Sequence, residues 1–147
     1  MTRDDSLGLY FHVPFCARRC DYCDFFVIVG QDAAGQRDFF EWLRRDLDAA
    51  SARLGSSERR VDSIYLGGGT PSYVSASEVS SVLSACRGRF DVAPGAEVTL
   101  EANPESVTRE RVSEWLAAGI NRLSLGVQSF DDRVLSPRGR LYDGAQA

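Results

Sequence analysis

Lysine is missing from the chain: all 17 basic residues are arginine, which excludes a Gly-Lys-Ser/Thr phosphate loop and otherwise reads as codon composition. Histidine is nearly missing too, and the single His12 leaves a nitrogen-closed zinc site short of ligands. No apolar run comes near the ~18 residues of a membrane-spanning helix. The opening MTRDDSLGLY has neither the basic patch nor the apolar stretch of a cleavable leader. Basic residues are scattered and the net charge is −4, so no nucleic-acid footprint is indicated. A soluble, cytoplasmic protein is expected, with membrane association not indicated. At 147 residues the chain fits one domain with a real core.

What is present is concentrated. Cys16, Cys20 and Cys23 form a Cys-x-x-x-Cys-x-x-Cys run straight after an apolar strand candidate, Leu9 to Val13. Three thiolates at that spacing can hold three corners of a 4Fe–4S cube and leave the fourth iron open to a small molecule, whereas an electron-carrying cube normally takes four cysteines. The competing reading is structural zinc, which favours Cys-x-x-Cys pairs and a fourth protein ligand. A disulfide framework fits worse, because a triplet pairs badly and nothing marks the chain as secreted. Cys86 falls on the apolar side of a helical pattern and reads as a small buried residue.

Along the chain, apolar periodicity switches between two and about 3.6 residues. After the first strand and the cysteine loop, Phe39, Phe40, Leu43, Leu47, Ala50 and Leu54 recur at helical spacing within Asp32 to Leu54, and GSSERR closes that helix. Val61 to Leu66 reads as a strand. Ser75 and Glu78 form a capping box for a second helix, whose Val79, Val82, Leu83, Cys86 and Phe90 share a face. Glu97 to Ala102 is the third strand, Thr108 caps a third helix that Gly119 ends, and Arg122 to Val127 is the fourth strand. This order predicts an α/β fold with right-handed crossovers and a parallel sheet, barrel-like or doubly wound. Val98 and Leu100 oppose Thr99 and Glu101, Phe11 and Val13 oppose Tyr10 and His12, and Leu123, Leu125 and Val127 oppose Ser124, Gly126 and Gln128. One face suits helix packing. The other, small or polar toward the strand ends, reads as a concave, ligand-lined interior.

The motifs fall just past the carboxyl ends of the strands, where such folds place their sites. Strand one delivers the cysteines, strand two Gly67-Gly68-Gly69-Thr70-Pro71, strand three Glu101-Ala102-Asn103-Pro104, and strand four Gly126-Val127-Gln128-Ser129-Phe130. The glycines let backbone approach a ligand closely, or simply make a tight strand-to-helix turn. Glu101 can hold an amine or a ribose hydroxyl, or stand as a surface charge. Gln128 can donate and accept at once.

Taken together, Tyr10-Phe-His12-Val-Pro14-Phe15-Cys16, Cys20-x-Tyr22-Cys23-Asp24-Phe25, GGGTP, LEANP and INRLSLGVQSFDD closely resemble the radical S-adenosylmethionine proteins related to oxygen-independent coproporphyrinogen III oxidase, from Leu9 to Asp132. Asp24-Phe25, LEANP and NRLSLGVQSFDD look most like the HemW-type heme chaperones within that group; the oxidases commonly carry a further cysteine where Phe25 stands. The resemblance implies a partial TIM-type (βα)n barrel of radical SAM type, truncated after about four βα units. It implies a 4Fe–4S cluster on Cys16, Cys20 and Cys23, with S-adenosylmethionine chelating the open iron through its amino and carboxylate groups. Tyr10, Tyr22, Gly68, Gly69, Thr70, Glu101 and Gln128 match positions lining S-adenosylmethionine sites, and Arg140 matches a basic residue of the same kind. Reductive cleavage of the sulfonium would give methionine and a 5′-deoxyadenosyl radical in an oxidase. In the chaperones the same scaffold binds and passes on heme. Heme or a porphyrinogen is therefore the expected small-molecule partner.

Two departures from the pattern stand out. Pro137 and Arg138 interrupt the helix expected after QSFDD, so it should end early, and Tyr142 stands near a position where relatives carry histidine. Relatives also continue with further strands and a C-terminal region, so residues 1–147 are expected to be the N-terminal part of a radical SAM core. A parallel sheet with an uncovered edge invites association, and the isolated chain should be poorly soluble; sedimentation showing a monodisperse, cooperatively unfolding monomer would contradict this. Arg18 and Arg19 lie between cysteines on a loop expected to reach solvent, where they either are solvated charges or dock an acidic, flavodoxin-type electron donor. Asp24, if ionised beside the cluster, would help keep its potential low.

Overall fold

Strand β1 (Leu7–Val13) pairs in parallel with β4 (Arg60–Gly68), β4 with β5 (Asp91–Ala102), and β5 with β6 (Arg122–Leu125). These relationships come from a computed structural model that describes residues 6–54 and 60–147. Residues 1–5, and all of GSSERR except Arg60, lie outside the described residues. Helices α1 (Ala33–Leu54), α2 (Ala76–Arg89) and α3 (Arg109–Ala118) connect the four strands. Neighbours in this sheet, β1-β4-β5-β6, follow chain order without reversal. A doubly wound sheet reverses at its switch point, so the four strands form one wall of a barrel.

The helix-side face carries the core. Phe11, Val13, Ile64, Leu66, Val98 and Leu100 are buried against Phe40 and Leu47 of α1, Val79, Val82 and Leu83 of α2, and Trp115 of α3. Local chemistry sets the helix ends. Ser75 Oγ accepts from Glu78 N–H and Thr108 Oγ1 from Arg111 N–H, each at 3.3 Å, while Gly119 closes α3 in the left-handed region at φ 98°. Arg44 of α1 donates to Glu78 and Ser81 of α2, at 3.4 and 2.8 Å. Cys86 is fully buried, and burial pushes its thiol up to about 12.

Four features differ from or sharpen the sequence expectation. A pair of two-residue parallel strands, β2 (Phe15–Cys16) and β3 (Ile28–Val29), closes the cysteine loop at its base. Strand β5 begins six residues earlier than the Glu97 expected, and its register with β4 jumps from Val61↔Val92 to Ser63↔Glu97. Pro94, with no N–H to give the ladder, lies in that gap. Strand β6 stops at Leu125 rather than Val127, because after Gly126 donates to Ala102 O (2.9 Å) the chain turns away through Gln128 at φ 64°. Helix α4 (Asp132–Leu135) is a single turn followed by a 3-10 turn at Ser136–Arg138, the early end expected of Pro137. Leu125 and Leu116 remain 46% and 62% exposed at the β6 edge of the wall.

Gly88 lies in α2, where an added Cβ meets nothing within 4 Å. Gly88→Ala should therefore stabilise the fold by about 0.5–1 kcal/mol, which a calorimetric midpoint raised by ~2–4 °C would register.

Candidate functional site

At the carboxyl ends of the strands lies a cavity of about 550 Å³. Cys16, Cys20, Cys23, Tyr22, Gly68, Gly69, Thr70, Glu101, Gln128 and Arg140 all line it. Of the residues expected to hold the cluster or the nucleotide, only Tyr10 is absent from the lining. Its ring stacks on Tyr65 at 6.0 Å, one step behind the cavity wall, where β1 and β4 pair Tyr10 with Tyr65.

The cysteine loop is held by backbone bonds at its stem and by a few side chains above it. Ile28 N–H donates to Pro14 O (2.8 Å) and Cys23 N–H to Cys20 O (3.0 Å), while Arg19 donates to Cys23 O (3.3 Å). His12 Nε2 donates to Phe26 O (3.1 Å), which leaves Nδ1 to accept from the Tyr10 hydroxyl (3.3 Å). His12 thus ties β1 to the far limb of the loop. Arg18, Arg19 and Asp24 are exposed, as are Phe25 and Phe26.

The triple glycine threads against that stem. Gly69 N–H donates to Val13 O and Thr70 N–H to Phe15 O, both at 2.8 Å. A Cβ on Gly69 would sit 2.7–2.8 Å from the backbone of Pro14 and Phe15. Gly68, at φ 114°, turns its N–H onto Glu101 Oε2 (3.0 Å), and Tyr65 donates to Glu101 Oε1 (2.7 Å). Glu101 is therefore held from two sides beneath the cavity. The Tyr65 hydroxyl is pushed up, first by that bond to the carboxylate and then by burial. Thr70 Oγ1 lies 3.4 Å from Cys16 Sγ; burial raises the Cys16 thiol, the Thr70 bond opposes it, and the neighbouring Cys23 and Cys20 raise it further.

Sequence reasoning missed three contributors. Tyr65 holds Glu101. Asn103 donates to Thr70 Oγ1 (3.4 Å) and accepts from Arg140 (2.7 Å). Tyr142 is buried and its hydroxyl reaches Gly126 O (2.8 Å) and Val127 O. The signal for Tyr65 was available: it lies two residues before the glycines, on the same face as Tyr10 and Glu101.

Among the described residues no group of three or more His, Cys, Asp or Glu side chains is gathered tightly enough to hold one ion. Cys16 is turned to Thr70 and Cys20 to Arg140 instead. Three thiols on the rim of one cavity, with close backbone approach opposite, are a donor set that fits an iron–sulfur cube and a bound small molecule.

The Radical SAM superfamily model matches residues 10–146. The chain belongs to this superfamily. As a radical SAM protein it shares a family in which a 4Fe–4S cluster and S-adenosylmethionine are general. Its relatives include proteins named heme chaperone HemW from Haemophilus influenzae, 39% identical over 100% of this chain and 39% of that protein, and from Escherichia coli, 37% identical over 100% and 38%. The bovine mitochondrial radical S-adenosyl methionine domain-containing protein 1 is 42% identical over 95% of this chain and 31% of its own length. The chain thus spans well under half the length of these relatives. Among solved structures, coproporphyrinogen III oxidase (HemN) from Escherichia coli superposes with a TM-score of 0.88 at 28% identity, covering 97% of this chain and 32% of that one. The expected partial barrel of radical SAM type is the observed fold. No helix among the described residues is long and apolar enough to cross a membrane.

Proposed function

We propose that Cys16, Cys20 and Cys23 hold a 4Fe–4S cluster and that S-adenosylmethionine occupies the cavity beside it, in the N-terminal part of the radical SAM core of a HemW-like heme chaperone. The observation that carries the reading is that one cavity is lined by all three cysteines together with Gly68, Gly69, Thr70, Glu101 and Gln128. Bound there, the cluster would supply an electron and the nucleotide a reducible sulfonium. The chain's own residues bind and orient. Gly68 and Gly69 bring backbone within reach, and Glu101, fixed by Tyr65 and Gly68, offers its carboxylate to a ribose hydroxyl or an amine. Gln128 presents an amide from a left-handed turn, and Tyr10 backs Tyr65. Heme is the small-molecule partner under this reading, and a flavodoxin-type donor docks at the exposed Arg18 and Arg19.

Relatives named HemW, at 37–39% identity over the whole chain, favour the chaperone over the oxidase, whose solved structure is 28% identical. Heme added to the reconstituted protein should bind stoichiometrically, with a saturable Soret band, and pass to an apo-acceptor. Dithionite-reduced protein given S-adenosylmethionine and coproporphyrinogen III should form no decarboxylated product; turnover to it would establish the oxidase reading instead.

A further inference from the structure

Gln128 is the one non-glycine residue among the described residues with a positive φ, at 64°. Ser129 N–H donates to Val127 O at 2.7 Å, a bond that spans only three residues and makes Gln128 the centre of a γ-turn of the rarer, strained kind. A side chain in that conformation costs free energy that the surroundings must offset. Residues 126–130 belong to no helix or strand, and Gln128 and Phe130 are exposed. The hold on this turn comes from elsewhere in the chain.

Tyr142 supplies it. The ring is buried, and its hydroxyl proton serves two carbonyls at the bend, Gly126 O at 2.8 Å and Val127 O. Val127 O is the same atom that closes the γ-turn. The hydroxyl oxygen also accepts from Arg140 Nε at 3.1 Å, while Arg140 Nη2 donates to Gly126 O at 2.7 Å. Tyr142 and Arg140 therefore share Gly126 O and are bonded to each other. Gln128 and Arg140 both line the cavity, whereas Tyr142 lies behind it.

Tyr142 is itself anchored on both sides. Upstream, Gly139 turns at φ 73° and Arg140 N–H closes on Leu135 O at 3.2 Å. Downstream, Gly144 N–H donates to Asp132 Oδ1 at 2.7 Å, and a Cβ on Gly144 would collide with Phe130 O. The segment that carries Tyr142 is packed directly on the stretch that carries Gln128.

Resting on the nucleotide reading above, we propose that Tyr142 is a positioning residue for the nucleotide site: its buried hydroxyl latches the γ-turn that presents the Gln128 amide to the cavity, and steadies the Arg140 guanidinium at the mouth. Tyr142 touches no ligand and acts through these two neighbours.

Tyr142→Phe removes the hydroxyl and keeps the ring, so the space it fills stays filled. In the metal-free protein, the Gly126, Ser129 and Asp131 amides, each hydrogen-bonded in the wild type, should exchange faster in this variant by roughly fivefold or more, the weight of one lost hydrogen bond. After anaerobic reconstitution, S-adenosylmethionine affinity read by equilibrium dialysis should fall by roughly fivefold or more at unchanged iron content. Tyr142→His keeps a ring N–H able to donate, and should bind the nucleotide more tightly than Tyr142→Phe does. Unchanged exchange at the three amides in Tyr142→Phe overturns the latch. Faster exchange with unchanged nucleotide affinity overturns the positioning role and leaves Tyr142 a packing residue. Equal weakening in the Phe and His variants overturns the part assigned to the donated hydrogen bond. A wild-type chain that takes up no cube or binds no nucleotide sinks the reading above instead, and the exchange measurement still decides the latch.

Discussion

Single replacement of Cys16, Cys20 or Cys23 with alanine should abolish a stable 4Fe–4S cluster, while Cys86→Ala keeps its full iron content. The first three line one cavity with the glycine turn and Glu101, whereas Cys86 is sealed in the core under α2 with its thiol pushed up to about 12 by burial. A metal ligand must be a thiolate, and Cys86 stays protonated at any ordinary pH. Removing its sulfur should cost about 1 kcal/mol of packing, seen as a lower thermal midpoint with no change in the visible spectrum. Iron and sulfide determinations on the four variants, prepared without oxygen, separate these outcomes. Equal iron loss in all four would mean the effect is one of folding and not of ligation.

Gly69→Ala should be strongly damaging to the cysteine loop. The new Cβ would stand 2.7–2.8 Å from the Pro14 and Phe15 backbone, which cannot swing aside as a side chain could. The same residue's N–H bonds Val13 O, and the next residue's bonds Phe15 O, so relief by backbone shift breaks the stem of the cysteine loop. Such overpacking should cost about 3 kcal/mol or more and lower the melting midpoint by on the order of 10 °C. Cluster loading should fall with it, because Cys16 lies in that stem. Gly88→Ala, the same chemical change where nothing is within 4 Å, should move stability the other way. Circular dichroism melts of the two variants decide this, and equal midpoints would show that the glycine turn does not brace the loop.

The features legible in sequence were those written in local chemistry. Ser75, Thr108 and Gly119 cap helices through contacts within four residues, and Pro137 stops α4 by geometry of its own backbone. The inner face was legible because the alternation read in β1 and β5 survives in the fold. Strands β2 and β3 were not, since two residues carry no period, and their pairing needs the loop between them to close first. Nor could the start of β5 be read past Pro94-Gly95, which resemble a turn until β4 is laid beside them. Glu101 was singled out without its keeper, because the Tyr65 bond depends on register between neighbouring strands. Arg140 reaches Cys20, 120 residues earlier in the chain, only because the turn at Gly139 redirects it, and no spacing rule encodes that.

The most direct test of the cluster and nucleotide site is EPR of the anaerobically reconstituted, dithionite-reduced chain with and without S-adenosylmethionine, on samples of counted iron. Near four irons per chain, and a reduced-cluster signal that changes on adding the nucleotide, is the predicted result. Stoichiometric zinc in place of iron, or a cluster signal identical in the presence and absence of the nucleotide, would contradict it.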